Sequence, residues 1–158
     1  MRRLPSLGPR GEGWFAAQLV LFALIAAAGA LGPRWGGAAR SATDAAGIAL
    51  LAAGGVLAVR GLLDLRENLT PFPAPVAAGR LVECGSYALV RHPIYSGLIA
   101  GAFGWGLATA SVAALGAAAL LGVFFDLKSR REELWLAATY PGYADYRRRT
   151  RKLVPWVY

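Results

Sequence analysis

The stretch IYSGLIAGAFGWGLATASVAALGAAALLGVFF, residues 94–125, contains 32 residues without a charged side chain. As one straight α-helix it would be about 48 Å long, far more than the ~30 Å hydrocarbon core of a bilayer. Small and polar residues, ATAS at 108–111, interrupt it near the middle. The stretch therefore predicts a short helical hairpin of two membrane spans, over 94–108 and 111–127, joined by a tight turn.

Two earlier apolar runs complete the predicted membrane region. Residues 14–31 carry no charge, and residues 45–63 carry only Arg60, near an end, where a long side chain can reach the interface. We expect an all-α integral membrane protein of about four spans, with one membrane-embedded domain over 1–158. The first run could alternatively be the core of a cleaved signal peptide, but such cores have about 7–15 residues and this run is longer.

The composition excludes several classes of protein. Apolar residues make up 56% of the chain and charged residues 16%, against about 25% in soluble domains. The net charge of +8 does not indicate nucleic-acid binding, because the basic residues flank apolar runs. Four spans would place both termini on the same side of the membrane, and 15 of the 17 Lys and Arg residues fall on that side. By the positive-inside rule that side is cytoplasmic. Cys84 is the single cysteine, so no internal disulfide is possible.

The segment VRHPIYSG, residues 90–97, holds the only histidine of the chain, His92, at the start of the hairpin. Pro93 has a fixed φ and no N–H, which suits the first position of a helix and places His92 at or near the N-cap. Such a helix start carries unpaired N–H groups and a partial positive charge. The segment therefore predicts a place where an anionic group, for instance a carboxylate, can bind.

The neighbours of this histidine allow two interpretations. Arg91 is unfavourable at a helix start unless an anion is bound nearby, and Tyr87 and Tyr95 can stack on a flat ring or donate hydrogen bonds. Alternatively, a belt of Arg, His and Tyr is ordinary at a membrane interface. One His and one Cys cannot supply the three or four ligands of a typical zinc site, so no metal site is expected.

A second charged cluster lies in the cytoplasmic helix and tail predicted for 128–158. Glu132 and Glu133 are adjacent acids, and Lys128 lies one helical turn before Glu132. The two acids either form incidental ion pairs on a solvated helix or supply carboxylates that offset the cost of burying a cationic ligand. The aromatic and basic residues from Tyr143 onward indicate an interfacial helix or tail on an anionic leaflet. A plain positive-inside anchor explains that tail equally well.

These segments together resemble a known group of enzymes. GRLVECGSYALVRHPIYSG (79–97), the hairpin, and EELWLAATYPGYADYRRR (132–149) resemble the isoprenylcysteine carboxyl methyltransferase family and its bacterial relatives, a group that includes integral-membrane phospholipid methyltransferases. The resemblance covers roughly residues 68–155. The segment TYPGY (139–143) departs from the family pattern, which usually has Phe-Gly followed by acids.

The resemblance implies S-adenosylmethionine as cofactor, at the cytoplasmic end of the last two spans. It also implies an inner membrane of a bacterium as the location. Lys128 and Arg91 are the expected substrate contacts, and no residue is assigned a catalytic role. The expected cofactor contacts are Gly79, Arg80, Leu81, Val82, Tyr87, His92, Pro93, Ile94, Tyr95, Glu132 and Glu133.

Two functions remain open from the sequence. The first is a methyltransferase acting on a lipophilic small molecule or lipid, with a carboxylate, amine or thiol acceptor. The second is a non-catalytic accessory or assembly protein of the same fold, an alternative motivated by TYPGY. A transporter is disfavoured, because the hairpin has no charge that could mark a transport path. The sequence does not predict the oligomeric state.

Overall fold

The fold is a helical bundle with a short C-terminal helix. A computed structural model of the chain describes residues 5–37, 40–76 and 79–158. It contains α1 (Glu12–Leu31), α2 (Arg40–Leu65), α3 (Pro93–Ala108), α4 (Val112–Thr139) and α5 (Tyr143–Arg149). Two 3-10 helices, Arg66–Asn68 and Gly85–Ala88, lie between α2 and α3. No β-strand occurs in the described ranges, which confirms the predicted all-α fold class.

Among the residues that the structure describes, three helices are long and apolar enough to cross a membrane: α1, α2 with the 3-10 turn that follows it, and α4. The fourth predicted span is α3, which has 16 residues and a length of about 24 Å. It is therefore shorter than a full hydrocarbon core, as expected for one arm of a short hairpin. Large apolar side chains are exposed on the outside of the long helices, for example Leu24, Val56 and Val123. Such a surface suits lipid.

The predicted turn between the hairpin helices is confirmed at residues 109–111. Ala110 has a positive φ of 50°, which reverses the chain within three residues. Ser111 is the N-cap of α4, where its Oγ accepts a hydrogen bond from the Ala114 N–H at 3.2 Å. The same hydroxyl donates to the Ala28 carbonyl at 2.9 Å, so the turn is also attached to the end of α1.

The predicted last span and the helix predicted to follow it form one element. The sequence predicts a span over 111–127 and a further helix from 128, but α4 runs unbroken for 28 residues. No Gly or Pro lies between residues 123 and 139 to interrupt its hydrogen bonds, and the helix ends just before Pro141. Charged residues beyond 125 are consequently held rigidly relative to the membrane part.

The closest helix pair is α2 with α3, and glycines make the approach possible. A Cβ atom at Gly54 would lie 2.5 Å from the carbonyl oxygen of Gly97, and one at Gly104 would lie 2.6 Å from the amide nitrogen of Leu51. Backbone atoms therefore pack directly against backbone atoms, as small residues permit in lipid. A core that includes Ile25 and Phe125 joins α1, α3 and α4. This packing places the start of α3 beside the end of α4.

Candidate functional site

A cavity of about 420 Å³ lies at the charged end of the bundle. Its walls come from all five helices and from the loop between α2 and α3. Its volume falls in the range of small-molecule sites, which are mostly apolar with a few polar groups. In the ranges that the structure describes, no three His, Cys, Asp or Glu side chains are grouped to hold a metal ion.

Most of the predicted site residues line this cavity. Both expected substrate contacts, Arg91 and Lys128, are among them. Eight of the eleven expected cofactor contacts also line it: Arg80, Leu81, Val82, Tyr87, His92, Ile94, Tyr95 and Glu132. The other three, Gly79, Pro93 and Glu133, do not form its wall. The structure thus brings two distant sequence segments together, while contact with a cofactor stays a prediction.

His92 is the N-cap residue of α3 and Pro93 is its first residue, which confirms the prediction from the sequence. The imidazole of His92 stacks on the ring of Tyr95 at 5.4 Å, and Tyr95 stacks on Phe125 at 4.4 Å. The Tyr95 hydroxyl donates to Oε2 of Glu132 at 2.8 Å. Glu132 is thereby held at the cavity wall with part of its carboxylate accessible.

The adjacent acid, Glu133, turns away from the cavity and is buried. Its Oε1 accepts a hydrogen bond from Nε of Arg91 at 2.9 Å and lies 3.2 Å from Nε2 of His92. Arg147 approaches the other oxygen at 3.6 Å. Glu133 therefore positions the two side chains at the start of α3, while its direct contact with a cofactor stays a prediction.

The C-terminal segment holds the backbone of the same two residues. The amides of Arg91 and His92 donate to the carbonyls of Arg151 and Lys152 at 2.8 and 3.1 Å. Lys152 is buried and its Nζ lies 2.6 Å from Oδ1 of Asp126. This non-local pairing could not be predicted from the sequence, because a single bridge has no periodicity. The tail thus supports the site in addition to any role at the membrane surface.

Two contacts position Tyr87 at the opposite wall. Asp64 accepts hydrogen bonds from the amide and the hydroxyl of Ser86 at 2.7 and 2.6 Å. The hydroxyl of Tyr146 donates to the Tyr87 carbonyl at 2.7 Å. Burial raises the pKa of Tyr87 and of Tyr146 above the usual value for a phenol, so both remain neutral at working pH. The 3-10 turn that carries Tyr87 is therefore fixed from two sides.

Lys128 is a buried residue in the wall of the cavity. It is 1% exposed, and its Nζ donates to Oε1 of Gln18 at 2.5 Å. The ammonium also lies 5.1 Å from the ring centre of Tyr95, within range of a cation–π interaction. Gln18 lies near the start of the apolar run over 14–31 and was not expected at the site. Its polarity within a predicted span was the one available signal.

The segment TYPGY contributes two further wall residues that sequence reasoning missed. Tyr140 and Tyr143 line the cavity from the end of α4 and from α5. A Cβ atom at Gly79 would lie 2.7 Å from the Tyr140 hydroxyl and 2.9 Å from Oδ1 of Asn68, so a larger residue there would have to displace those side chains. Gly79 lies next to the Tyr140 side chain, and its contact with a cofactor stays a prediction.

Sequence comparison with known proteins shows which family this chain belongs to. The chain matches the sequence profile of the phospholipid methyltransferase family over residues 42–142, more than half its length. The cobalt-zinc-cadmium resistance protein CzcN of Cupriavidus metallidurans is 37% identical over 76 residues, which is 48% of this chain. The match covers 35% of that relative, so the chain spans about a third of its length. The chain belongs to the phospholipid methyltransferase family, within the isoprenylcysteine carboxyl methyltransferase-like superfamily of integral membrane methyltransferases.

Proposed function

We propose that this membrane protein is an S-adenosylmethionine-dependent methyltransferase whose acceptor is a lipophilic small molecule or lipid. The observation that carries the proposal is the convergence of His92, Tyr95 and Glu132 on one cavity that adjoins a fully apolar groove. The proposal includes the inner membrane of a bacterium as the location, with both termini in the cytoplasm.

The residues of the cavity fit the charges of this cofactor. The accessible part of the Glu132 carboxylate suits the ammonium of its amino-acid end, and the start of α3 suits the carboxylate. Side chains of the loop over residues 80–82 and of Leu136 offer apolar surface for the adenosyl group. Arg91 contributes less directly than expected, because its Nε is bonded to Glu133 and its Nη1 to backbone carbonyls.

The chemistry requires positioning more than proton transfer. When bound, the cofactor supplies a methyl group on a positively charged sulfur, and that bond breaks as the acceptor's lone pair forms a new one. Lys128, Tyr95 and Glu132 orient the reacting ends and keep water out of a mostly apolar cavity. A carboxylate or thiolate acceptor would need no base, whereas an amine must first lose its proton.

An apolar groove next to the cavity suits the acceptor's tail. It lies among α1, α2 and α3, has a volume of about 420 Å³, and is lined only by apolar residues and glycines. Ala58 and Leu98 line both the groove and the cavity, so the two spaces adjoin. A molecule with a long apolar tail could rest in the groove and present its polar end beside Lys128. This arrangement supports the proposal of a lipophilic acceptor.

A binding and transfer experiment tests the proposed function. Calorimetry on the detergent-purified protein should show one S-adenosylmethionine site per chain. Incubation of membranes with a methyl-labelled cofactor and total lipid extract should place label in an extractable lipophilic product. Absence of cofactor binding would refute the proposal. Binding without any transfer would favour the alternative of a non-catalytic accessory protein.

Filling the groove should reduce turnover without weakening cofactor binding. No atom lies within 4 Å of a Cβ added at Gly101, so Gly101→Leu places its side chain in the open groove. Losing contact with about two methylenes of a tail costs roughly 1.6 kcal/mol, or about a tenfold drop in kcat/KM. The measurement is label transfer to a long-tailed acceptor from the extract.

A matched substitution separates loss of the groove from loss of the fold. Gly116 on α4 is exposed, has the same open space around a Cβ, and lies outside the groove. Gly116→Leu should leave kcat/KM within about twofold of the wild type. Equal activity of the two variants would show that the tail binds elsewhere.

A further inference from the structure

The C-terminal tail, residues 151–158, returns to the edge of the membrane region. Asp126 is the first charged residue after the uncharged hairpin run, so we expect the hydrocarbon of the bilayer to end near it. The Tyr158 hydroxyl donates to Oδ1 of Asp126 at 2.8 Å. Ser96, in the first turn of α3, donates from Oγ to the Leu153 carbonyl at 2.6 Å. Both arms of the hairpin therefore hold the tail at the level of this edge.

The tail has a buried side and an exposed side. Lys152 and Leu153 are each 7% exposed, whereas Trp156 is 84% and Val157 75% exposed. Trp156 lies two residues before Tyr158, so their Cα atoms are at most about 7 Å apart. Tryptophan at the edge of the hydrocarbon is typical of contact with the interfacial region of a bilayer.

Exposed positive charge precedes these apolar residues in the chain. Four arginines of α5 and the tail have exposed side chains: Arg147, Arg148, Arg149 and Arg151. Two of them pair with acids, Asp145 and Glu83, so the surface keeps an excess of positive charge. Basic and aromatic groups together match an anionic leaflet. A second copy of this chain matches less well, because it would bring arginines against arginines.

We propose that the surface formed by α5 and the C-terminal tail binds anionic lipid headgroups in the leaflet at the charged end of the bundle. The contact bears on the candidate site, because the carbonyls of Arg151 and Lys152 accept hydrogen bonds from the amides of Arg91 and His92. Lipid that binds only the docked tail stabilises the docked position by mass action. The leaflet thereby helps to hold the start of α3, whatever ligand the cavity takes.

Lipid-selective quenching of Trp156 tests the proposal. The full chain is reconstituted into vesicles that contain brominated phosphatidylglycerol or brominated phosphatidylcholine at equal mole fraction. The chain has five tryptophans, so the signal of Trp156 is the difference between the wild type and Trp156→Phe. Both lipids should quench this signal. The relative binding constant should favour phosphatidylglycerol about fivefold, the factor expected for one basic residue at an anionic surface.

Substitutions of exposed arginines separate the tail from general positive charge. Arg148→Gln and Arg151→Gln, made singly and together, should reduce the preference for phosphatidylglycerol, and the double variant should bring it close to one. Arg60→Gln is the control, because Arg60 is exposed near the same end of the bundle but belongs to α2. It should leave the preference at Trp156 unchanged. Added salt should lower the wild-type preference by screening the arginines.

Hydrogen exchange measures the effect on the start of α3. The amides of Arg91 and His92 exchange only when the tail releases them. In the wild type they should exchange about fivefold more slowly in vesicles with phosphatidylglycerol than in phosphatidylcholine alone. The Arg148→Gln/Arg151→Gln variant should lose this difference.

Each contrary result overturns the proposal at a defined step. A Trp156 signal that neither lipid quenches would show that water or another protein chain covers the surface. Equal quenching by the two lipids would refute anion recognition, and an unchanged preference in the arginine variants would refute the assigned residues. Unchanged exchange despite a lipid preference would refute the link to α3. None of these measurements uses S-adenosylmethionine, so the proposed function stands or falls separately.

Discussion

Gly54→Ala is expected to lower the melting temperature by about 10 °C, whereas Gly55→Ala, one residue later, should leave it unchanged or raise it slightly. A methyl group at Gly54 would lie 2.5 Å from the Gly97 carbonyl oxygen and 2.7 Å from the Gly101 amide nitrogen. Both neighbours are backbone atoms of α3, so the helices must separate. Overpacking of this kind costs about 3 kcal/mol, and each kcal/mol moves the melting temperature by about 2–4 °C at this chain length.

Gly55 is a matched control because it shares the helix and the residue type. No atom lies within 4 Å of a Cβ added there. Replacing either glycine by alanine removes the same helix-propensity penalty, about 1 kcal/mol, so that term cancels in the comparison. Thermal unfolding in detergent, followed by tryptophan fluorescence, measures the difference. Similar melting temperatures for the two variants would show that α2 and α3 do not pack through these glycines.

The contact also matters for the site, because α2 positions the start of α3. Gly61 continues the same face of α2 two turns after Gly54, and a Cβ there would lie 2.8 Å from the Ile94 side chain and 3.2 Å from Pro93. Ile94 lines the cavity directly after the N-cap histidine. Separation of the helices at Gly54 should therefore also displace the stacked rings of His92 and Tyr95.

The sequence predicted the fold where local chemistry decides it. An uncharged run too long for one helix with ATAS in its middle requires a turn there, and Pro93 fixes where α3 begins. The sequence did not show which of its 20 glycines join the helices. Gly54 and Gly55 are identical in type and adjacent, and only the direction that each faces separates a contact with α3 from open space. That direction depends on tertiary packing.

For the candidate site as well, the sequence alone did not show which residues face the cavity. Motif resemblance indicated both acids, yet neighbouring residues of an α-helix point about 100° apart, so only one of them lines the cavity. Tyr143 was missed because the aromatic and basic residues from Tyr143 onward indicated an interfacial tail. Gln18 was missed because it reaches the cavity from α1, an element distant in sequence, and belongs to no motif. The C-terminal pairing with Arg91 was missed for the same reason. Spacing predicts which residues share a helix, and packing decides which of them meet.

The two adjacent acids should consequently respond in opposite ways to the same substitution. Glu132→Gln removes the charge at the cavity wall and is expected to weaken S-adenosylmethionine binding about 10- to 100-fold, the range for a hydrogen bond to a charged group. Its effect on the melting temperature should be small, because Tyr95 can still donate to the amide oxygen. Calorimetry and thermal unfolding of the same preparation measure both quantities.

Glu133→Gln should mainly destabilise the fold. Glu133 is 7% exposed and is the buried carboxylate between Arg91 and His92, whose closest atoms lie 2.9 and 3.2 Å away. Removing one partner of a buried ion pair costs about 3–5 kcal/mol, which corresponds to a loss of about 10 °C in melting temperature. Cofactor affinity should fall by less than in Glu132→Gln, since the carboxylate facing the cavity remains. If Glu133→Gln instead bound the cofactor more weakly than Glu132→Gln while melting at the wild-type temperature, the roles assigned to the two acids would have to be exchanged.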